Sequence, residues 1–159
     1  MKPLPKHLRT RWRYIGVAIE TWPSVTVDRS TFDKAITAAA RTLLGDTGVA
    51  SIDISVYTFR YTTGYGEAII RTPRDAVEQT RAALACLSTI DSAPVRIDVL
   101  GISGTVRACE EKYLGREPEE PPERTVVFEG AERTAVCRDK TVDIRVGEAF
   151  VGATVFDIQ

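Results

Sequence analysis

The chain of 159 residues predicts an α+β fold: a split-βαβ, ferredoxin-like sandwich with an extra C-terminal helix and a small β appendage. Three observations lead there. Apolar side chains alternate with a period of two in four stretches of the first two thirds. Helical spacing fills the intervals after the first and third of them. A Pro/Glu-rich segment then separates off a Val-rich tail. Together they give the order β-α-β-β-α-β, in which two helices back a four-stranded antiparallel sheet.

The first strand covers residues 13–20, with Ile15, Val17 and Ile19 on one face and Tyr14, Gly16, Ala18 and Glu20 on the other. Ser30-Thr31-Phe32-Asp33 resembles a capping box, with Asp where Glu or Gln is usual. Phe32, Ile36, Ala39, Ala40 and Leu43 follow at helical spacing, and Gly45 and Gly48 end the helix. Residues 50–61 alternate again, placing Ile52, Ile54 and Val56 opposite Asp53, Ser55, Tyr57, Phe59 and Tyr61. A turn at Thr62-Thr63-Gly64 returns the chain along Tyr65 to Arg71. Thr72-Pro73-Arg74-Asp75 combines an N-cap, a proline at the first helical position and an early acid, so a second helix is expected to run to about Ile90. Val95, Ile97 and Val99 form the fourth strand. Gly101-Ile102-Ser103-Gly104-Thr105 then leads into a third helix with Val106, Cys109, Tyr113 and Leu114 as its apolar set. In the tail, strands are expected near 125–129, 133–138, 141–146 and 153–158, with a tight turn at Asp139-Lys140. The organisation is thus a basic arm (1–12), a main domain (13–115), a linker (116–124) and a β-rich extension (125–159).

Composition narrows the function classes. Apolar residues make up 43% and charged residues 27% of the chain, enough for a packed core. The net charge of -1 points to no partner, but its distribution is polar, with a basic body and an acidic tail. Cys86, Cys109 and Cys137 form no C-x-x-C, and a single His offers no zinc cluster. An odd set of separated cysteines suits reduced thiols and a cytoplasmic location. No apolar run reaches the ~20 residues of a membrane span, and the N-terminus lacks the apolar core of a secretory signal.

The first candidate site is the N-terminal arm. Lys2, Lys6, Arg9, Arg11 and Arg13 carry positive charge with no acid among them, beside His7 and Trp12. Such an arm suits phosphate backbones and stacked bases; otherwise it is a solubilising tail. Pro3 and Pro5 stiffen it, and Leu4, Leu8 and Trp12 give it apolar residues to dock with. The second candidate is the sheet. If Ile52, Ile54 and Val56 face the helices, then Tyr57, Phe59 and Tyr61 face outward, with Tyr14 beside them. That would be an RRM-like stacking platform, unless the third helix or the tail covers that face. The RNA-recognition-motif signature itself is absent. Arg60, Arg71 and Arg74 either extend a basic track or stand as separate solvated side chains. The third candidate is Ser103-Gly104-Thr105, where a hydroxyl cap and the positive end of a helix favour a phosphate, with Arg107 and Lys112 adding charge. Its alternative role is a plain helix cap. The P-loop spacing is missing. His7 has no acid, Ser or Cys partner close in sequence, so no protein catalytic group emerges.

Two motifs carry a family resemblance. Leu4-Pro5-Lys6-His7-Leu8-Arg9, continued by Arg11 and Arg13-Tyr14-Ile15, precedes the first strand. Gly101-Ile102-Ser103-Gly104-Thr105-Val106-Arg107 follows the fourth. In this order the chain resembles the archaeal ribonuclease P protein component 2 family, whose eukaryotic relatives are the Pop/Rpp14-type subunits. The resemblance covers residues 3–115, and residues 116–159 look like a lineage-specific extension. It implies a subunit of the ribonucleoprotein endonuclease that removes the 5′ leader of precursor tRNA. In such a particle the RNA is the catalyst and holds Mg²⁺, so the protein itself binds no cofactor. The implied partners are the ribonuclease P RNA, precursor tRNA through the holoenzyme, and a TIM-barrel-like protein component 3, with a possible heterotetramer.

The expected role is an RNA-binding subunit with no catalytic residue of its own. Lys6, Arg9, Arg11 and Arg13 are the expected phosphate contacts. Tyr14, Phe59 and Arg60 are contacts from the sheet, and Ser103, Gly104, Thr105 and Arg107 form the phosphate cap. Two rivals remain: a ferredoxin-like small-molecule regulatory domain working through the sheet edge, and a structural protein-interaction module.

Overall fold

The structure is a computed structural model that describes residues 2–116, 122–138 and 141–158. The chain divides into two compact units, Met1–Arg116 and Glu117–Gln159.

The first unit runs β1 (Trp12–Thr21), α1 (Arg29–Ile52), β2 (Ser55–Thr62), β3 (Tyr65–Pro73), α2 (Val77–Ala85), β4 (Thr89–Ile90), β5 (Ala93–Ser103) and α3 (Val106–Tyr113). The sheet order is β2-β3-β1-β5-β4, with antiparallel pairing throughout. This is the ferredoxin-like sheet, extended by the two-residue β4. Ile15, Val17 and Ile19 are fully buried on the face covered by α1 and α2, as their alternation predicts. They pack with Phe32 and Ile36 of α1 and Leu84 of α2.

Four boundaries differ from the sequence reading. Asp28, not Ser30, caps α1; its carboxylate accepts from Thr31 N at 2.8 Å. That hydrogen bond holds its carboxyl below the usual value. Gly45 leaves helical geometry (φ 72°, ψ 176°) but only kinks α1, which resumes and reaches Ile52. The expected strand start at 50–54 is therefore helical at its beginning. Ile52 fits both periods, and burial against Ala40, Ala76 and Ala83 selects the helix. The third difference is at Thr72, which belongs to β3 and caps no helix. Its hydroxyl donates to Ile52 O at 2.9 Å and accepts from the Thr80 hydroxyl at 2.9 Å. α2 begins only at Val77 and stops at Ala85, and Ile90 lies in β4. The fourth is in β5, which continues through Gly101 to Ser103, residues expected to lead into the third helix.

α3 lies on the other face of the sheet. Cys109 and Leu114 pack there on Ile69, with Tyr14, Val106 and Tyr113 around them. A cross-strand pair of glycines, Gly16 and Gly101, makes the seat. A Cβ on Gly101 would lie 2.1 Å from the Tyr113 ring, and one on Gly16 would lie 3.2 Å from Tyr113 Cβ. The absence of two side chains is what lets the helix approach.

The second unit is a four-stranded antiparallel meander, β6 (Glu123–Phe128), β7 (Ala131–Arg138), β8 (Thr141–Val146) and β9 (Ala149–Thr154). Val126, Ala135, Val142 and Ile144 form its core. Glu123 and Arg124, expected in the linker, belong to β6, paired with Val136 and Ala135. The last strand is 149–154 rather than 153–158. It ends where Asp157 turns back to accept from Thr154 N at 2.8 Å. Linker residues 117–121 and the Asp139-Lys140 turn lie outside the described residues.

Candidate nucleic-acid interface

The arm is exposed from Lys2 to Arg11. It makes a short 3-10 turn at Lys6–Leu8, and Arg9 Nε donates to Leu4 O at 2.7 Å. At its root, Arg11 O accepts from Arg74 N at 2.7 Å, which ties the arm to the end of β3. Antiparallel pairing then decides what gathers there. β1 starts where β3 and β5 finish, so Arg13 pairs with Thr72, and Tyr14 pairs with Arg71 on one side and Ser103 on the other. Arg13 Nη1 donates to Trp12 O at 2.9 Å and lies 3.9 Å from where a Cβ would stand on Gly104. The root of the arm and the amino end of α3 therefore meet at one end of the sheet. Among the described residues, Arg11, Arg13, Arg71 and Arg74 have no carboxylate within ion-pair distance.

At the amino end of α3, Thr105 is the N-cap and its hydroxyl accepts from Ala108 N at 3.2 Å. Gly104 is exposed. Ser103 is 7% exposed, and its Oγ is buried without a hydrogen-bond partner. Arg107 is less available than expected, because its Nε meets Glu111 at 2.8 Å one helical turn on. Both partners are well exposed, so water and salt loosen that pair. At the opposite end of α3, the buried Glu67 carboxylate accepts from Gly115 N at 2.9 Å and from the Tyr65 hydroxyl at 3.4 Å. Burial and that neighbouring carboxylate push the Tyr65 hydroxyl above its usual value. Under α3, burial pushes the Cys109 thiol up to about 11, which keeps it protonated at neutral pH.

The aromatic platform needs correction. Phe59 does not face outward: it packs among the core beneath α1, its ring 5.5 Å from Phe32, with Tyr61 stacked at 6.4 Å. The cause is a β-bulge. Val56 pairs with Ile70 and Thr58 with Ile69, so Tyr57 is an extra residue and the in/out alternation inverts past it. Tyr57 alone of the three points away from the core, 49% exposed, with its ring edge-on to Tyr14 at 5.9 Å. Arg60 is exposed but stands opposite Glu67, roughly 16 Å along β2 from Ser55, the partner of Arg71. The structure thus joins Arg13, Tyr14, Ser103, Gly104 and Thr105, and leaves Phe59 and Arg60 apart from them.

Sequence reasoning passed over one contact. The Arg71 guanidinium lies 4.2 Å from the centre of the Trp12 ring, and its Nε is buried without a hydrogen-bond partner. The signal was present in the two-residue period that puts Trp12 and Tyr14 on one face, but only the β1–β3 register brings Arg71 to them. Among the described residues, no three His, Cys, Asp or Glu side chains converge as metal ligands. Among them, too, no helix is long and apolar enough to cross a membrane.

Several known proteins are similar to this chain. Ribonuclease P protein component 2 of Halorubrum lacusprofundi is 50% identical over 159 residues, covering 100% of both chains. The protein of the same name from Methanosarcina mazei is 38% identical over 117 residues, which span 74% of this chain and 96% of that one. Nearly all of the Methanosarcina protein is used by a match to three quarters of this chain. A chain in the cryo-EM structure of yeast ribonuclease MRP aligns over 63% of this chain and 79% of its own, with 16% identity and a TM-score of 0.49. The model of the Rpp14/Pop5 family matches residues 13–114, the sheet and its three helices. The chain therefore belongs to the Rpp14/Pop5 family.

Proposed function

We propose that this chain is a protein subunit of ribonuclease P, which binds and stabilises the RNA that removes the 5′ leader of precursor tRNA. The observation that carries the RNA-binding part is the gathering of Arg11, Arg13, Arg71 and Arg74 at one end of the sheet, with no carboxylate among the described residues within ion-pair distance of them. Cations gathered on and beside the ends of β1 and β3 attract a polyanion and release its counterions on binding. The names of the archaeal relatives support the assignment to ribonuclease P.

In this reading, Lys6, Arg9, Arg11 and Arg13 neutralise backbone phosphates. Ser103, Gly104 and Thr105 take one phosphate at the amino end of α3, and Tyr14 contacts the RNA from the sheet. Mg²⁺ is implied for the particle, but the described residues offer no cluster of ligands for it. No step of the reaction is assigned to it on this chain. A ribonuclease P protein component 3 and precursor tRNA are partners at the level of the assembled particle.

The test is RNA binding at several salt concentrations. Replacing Arg9, Arg11 and Arg13 together with Ala should weaken binding of the cognate RNA and flatten the slope of log K against log salt by about 2. An unchanged slope removes the arm from the interface.

A further inference from the structure

Trp12, Arg71, Tyr14 and Tyr57 form a stripe on one face of the sheet. Arg71 and Tyr14 are direct cross-strand partners, and Trp12 lies two residues before Tyr14, hence on the same face. The bulge adds Tyr57 from the neighbouring strand. Resting on the RNA-binding reading above, we propose that this stripe seats one unpaired nucleobase of the bound RNA.

Four observations support this occupant. The Arg71 guanidinium lies over the Trp12 ring, forming a cation–π pair, and it has no hydrogen-bond or carboxylate partner among the described residues. Tyr57 is the inserted residue of the bulge, left without a partner on β3, and its ring is turned out of the core and half exposed. The 80° angle between the Tyr14 and Tyr57 rings makes a corner rather than a closed stack. A base can enter that corner with its face on one ring and its edge toward the other. Finally, Arg11, Arg13 and Arg74 stand at the same end of the sheet, so a base in the corner keeps its phosphates near uncompensated positive charge. An apolar protein side chain would fit the rings but gain nothing from those cations. A base inside a duplex cannot present its face to strand side chains, so the nucleotide must be unpaired.

The chain contains two tryptophans, so Trp22→Phe leaves Trp12 as the sole indole reporter. In that background, full-length protein is titrated with a single-stranded decauridylate and a decaadenylate, and separately with a blunt GC-rich RNA duplex of the same length. The expected result is saturable quenching of Trp12 by either single strand and none by the duplex. Tyr57→Ala should weaken single-strand binding about tenfold with the salt slope unchanged. Tyr57→Phe should restore the affinity, because the ring is kept. Tyr57 lies outside the core, and a thermal melt of the Ala variant checks that the fold persists. If single strand and duplex quench alike, or if Tyr57→Ala stays within twofold of the parent, the seat is overturned while RNA binding through the arm stands. If neither RNA binds at low salt, both the seat and the RNA-binding reading fall.

Discussion

Tyr57 and Phe59 are two residues apart, yet one faces outward and the other lies in the core. The insertion of a single residue into β2 separates them. The consequence can be tested on the residue read most differently from sequence. Phe59→Ala removes a ring packed against Phe32 and Tyr61 and should destabilise the first unit by about 2–3 kcal/mol, below the full cost of a completely buried Phe. Its effect on RNA should be confined to that loss of stability. Chemical denaturation measures the first quantity. An RNA affinity reduced more than tenfold under conditions where the variant is fully folded would return Phe59 to the interface. Ser103 shows a similar dependence on surroundings. Its side chain reads as a helix cap from sequence, but Thr105 holds that position and Ser103 ends a strand.

At the scale of elements, α3 decides which part of the sheet remains open. An eight-residue helix is too short to hold its shape alone, so its docking on Gly16 and Gly101 and the grip of Glu67 on Gly115 sustain it. Gly101→Ala would press a methyl group into the Tyr113 ring. The expected cost is about 1–3 kcal/mol, together with a looser α3 and faster amide exchange across Val106–Tyr113. Hydrogen exchange read by mass spectrometry checks it, and unchanged protection there would show that Tyr113 simply swings aside. Because the amino end of this helix meets Arg13, the same variant should also weaken RNA binding.

For the whole molecule, two separate apolar cores predict two separately stable parts. The first unit buries Phe32, Ile15, Ile19, Ile36, Ile69 and Ile70, whereas the second rests on Val126, Ala135, Val142 and Ile144. A chain ending at Arg116 should therefore fold, unfold in one cooperative transition and bind RNA within about twofold (roughly 0.4 kcal/mol) of the full protein, since every proposed RNA contact lies within that unit. Calorimetry and the salt titration described above read both. A truncated chain lacking a cooperative transition would show that the first core depends on the second unit. The Methanosarcina relative, matched over nearly its whole length by three quarters of this chain, is a natural comparison.

The order of elements was legible in the sequence because each strand and helix declares its own period: Ile15, Val17 and Ile19 for β1, Phe32, Ile36 and Ala40 for α1. The cationic arm was legible too, since charge needs no folding to be counted. Boundaries were less so where one residue satisfies two periods, as Ile52 does, and there burial against Ala76 and Ala83 settled the choice. Alternation places Tyr14 and Tyr57 outward, as they stand, but the extent of the open face and the inward turn of Phe59 and Tyr61 were not legible. That face depends on a bulge that shows only in how β2 pairs with β3, and on two glycines that become a helix seat only when β1 and β5 lie side by side. It also depends on Arg71 reaching Trp12 across a strand pair. Sequence alone determined the main strands and helices, though not the two-residue β4, because local periodicity is a property of neighbours along the chain. Tertiary structure decided which aromatics and arginines share a surface, because strand register is fixed by contacts between residues far apart in it.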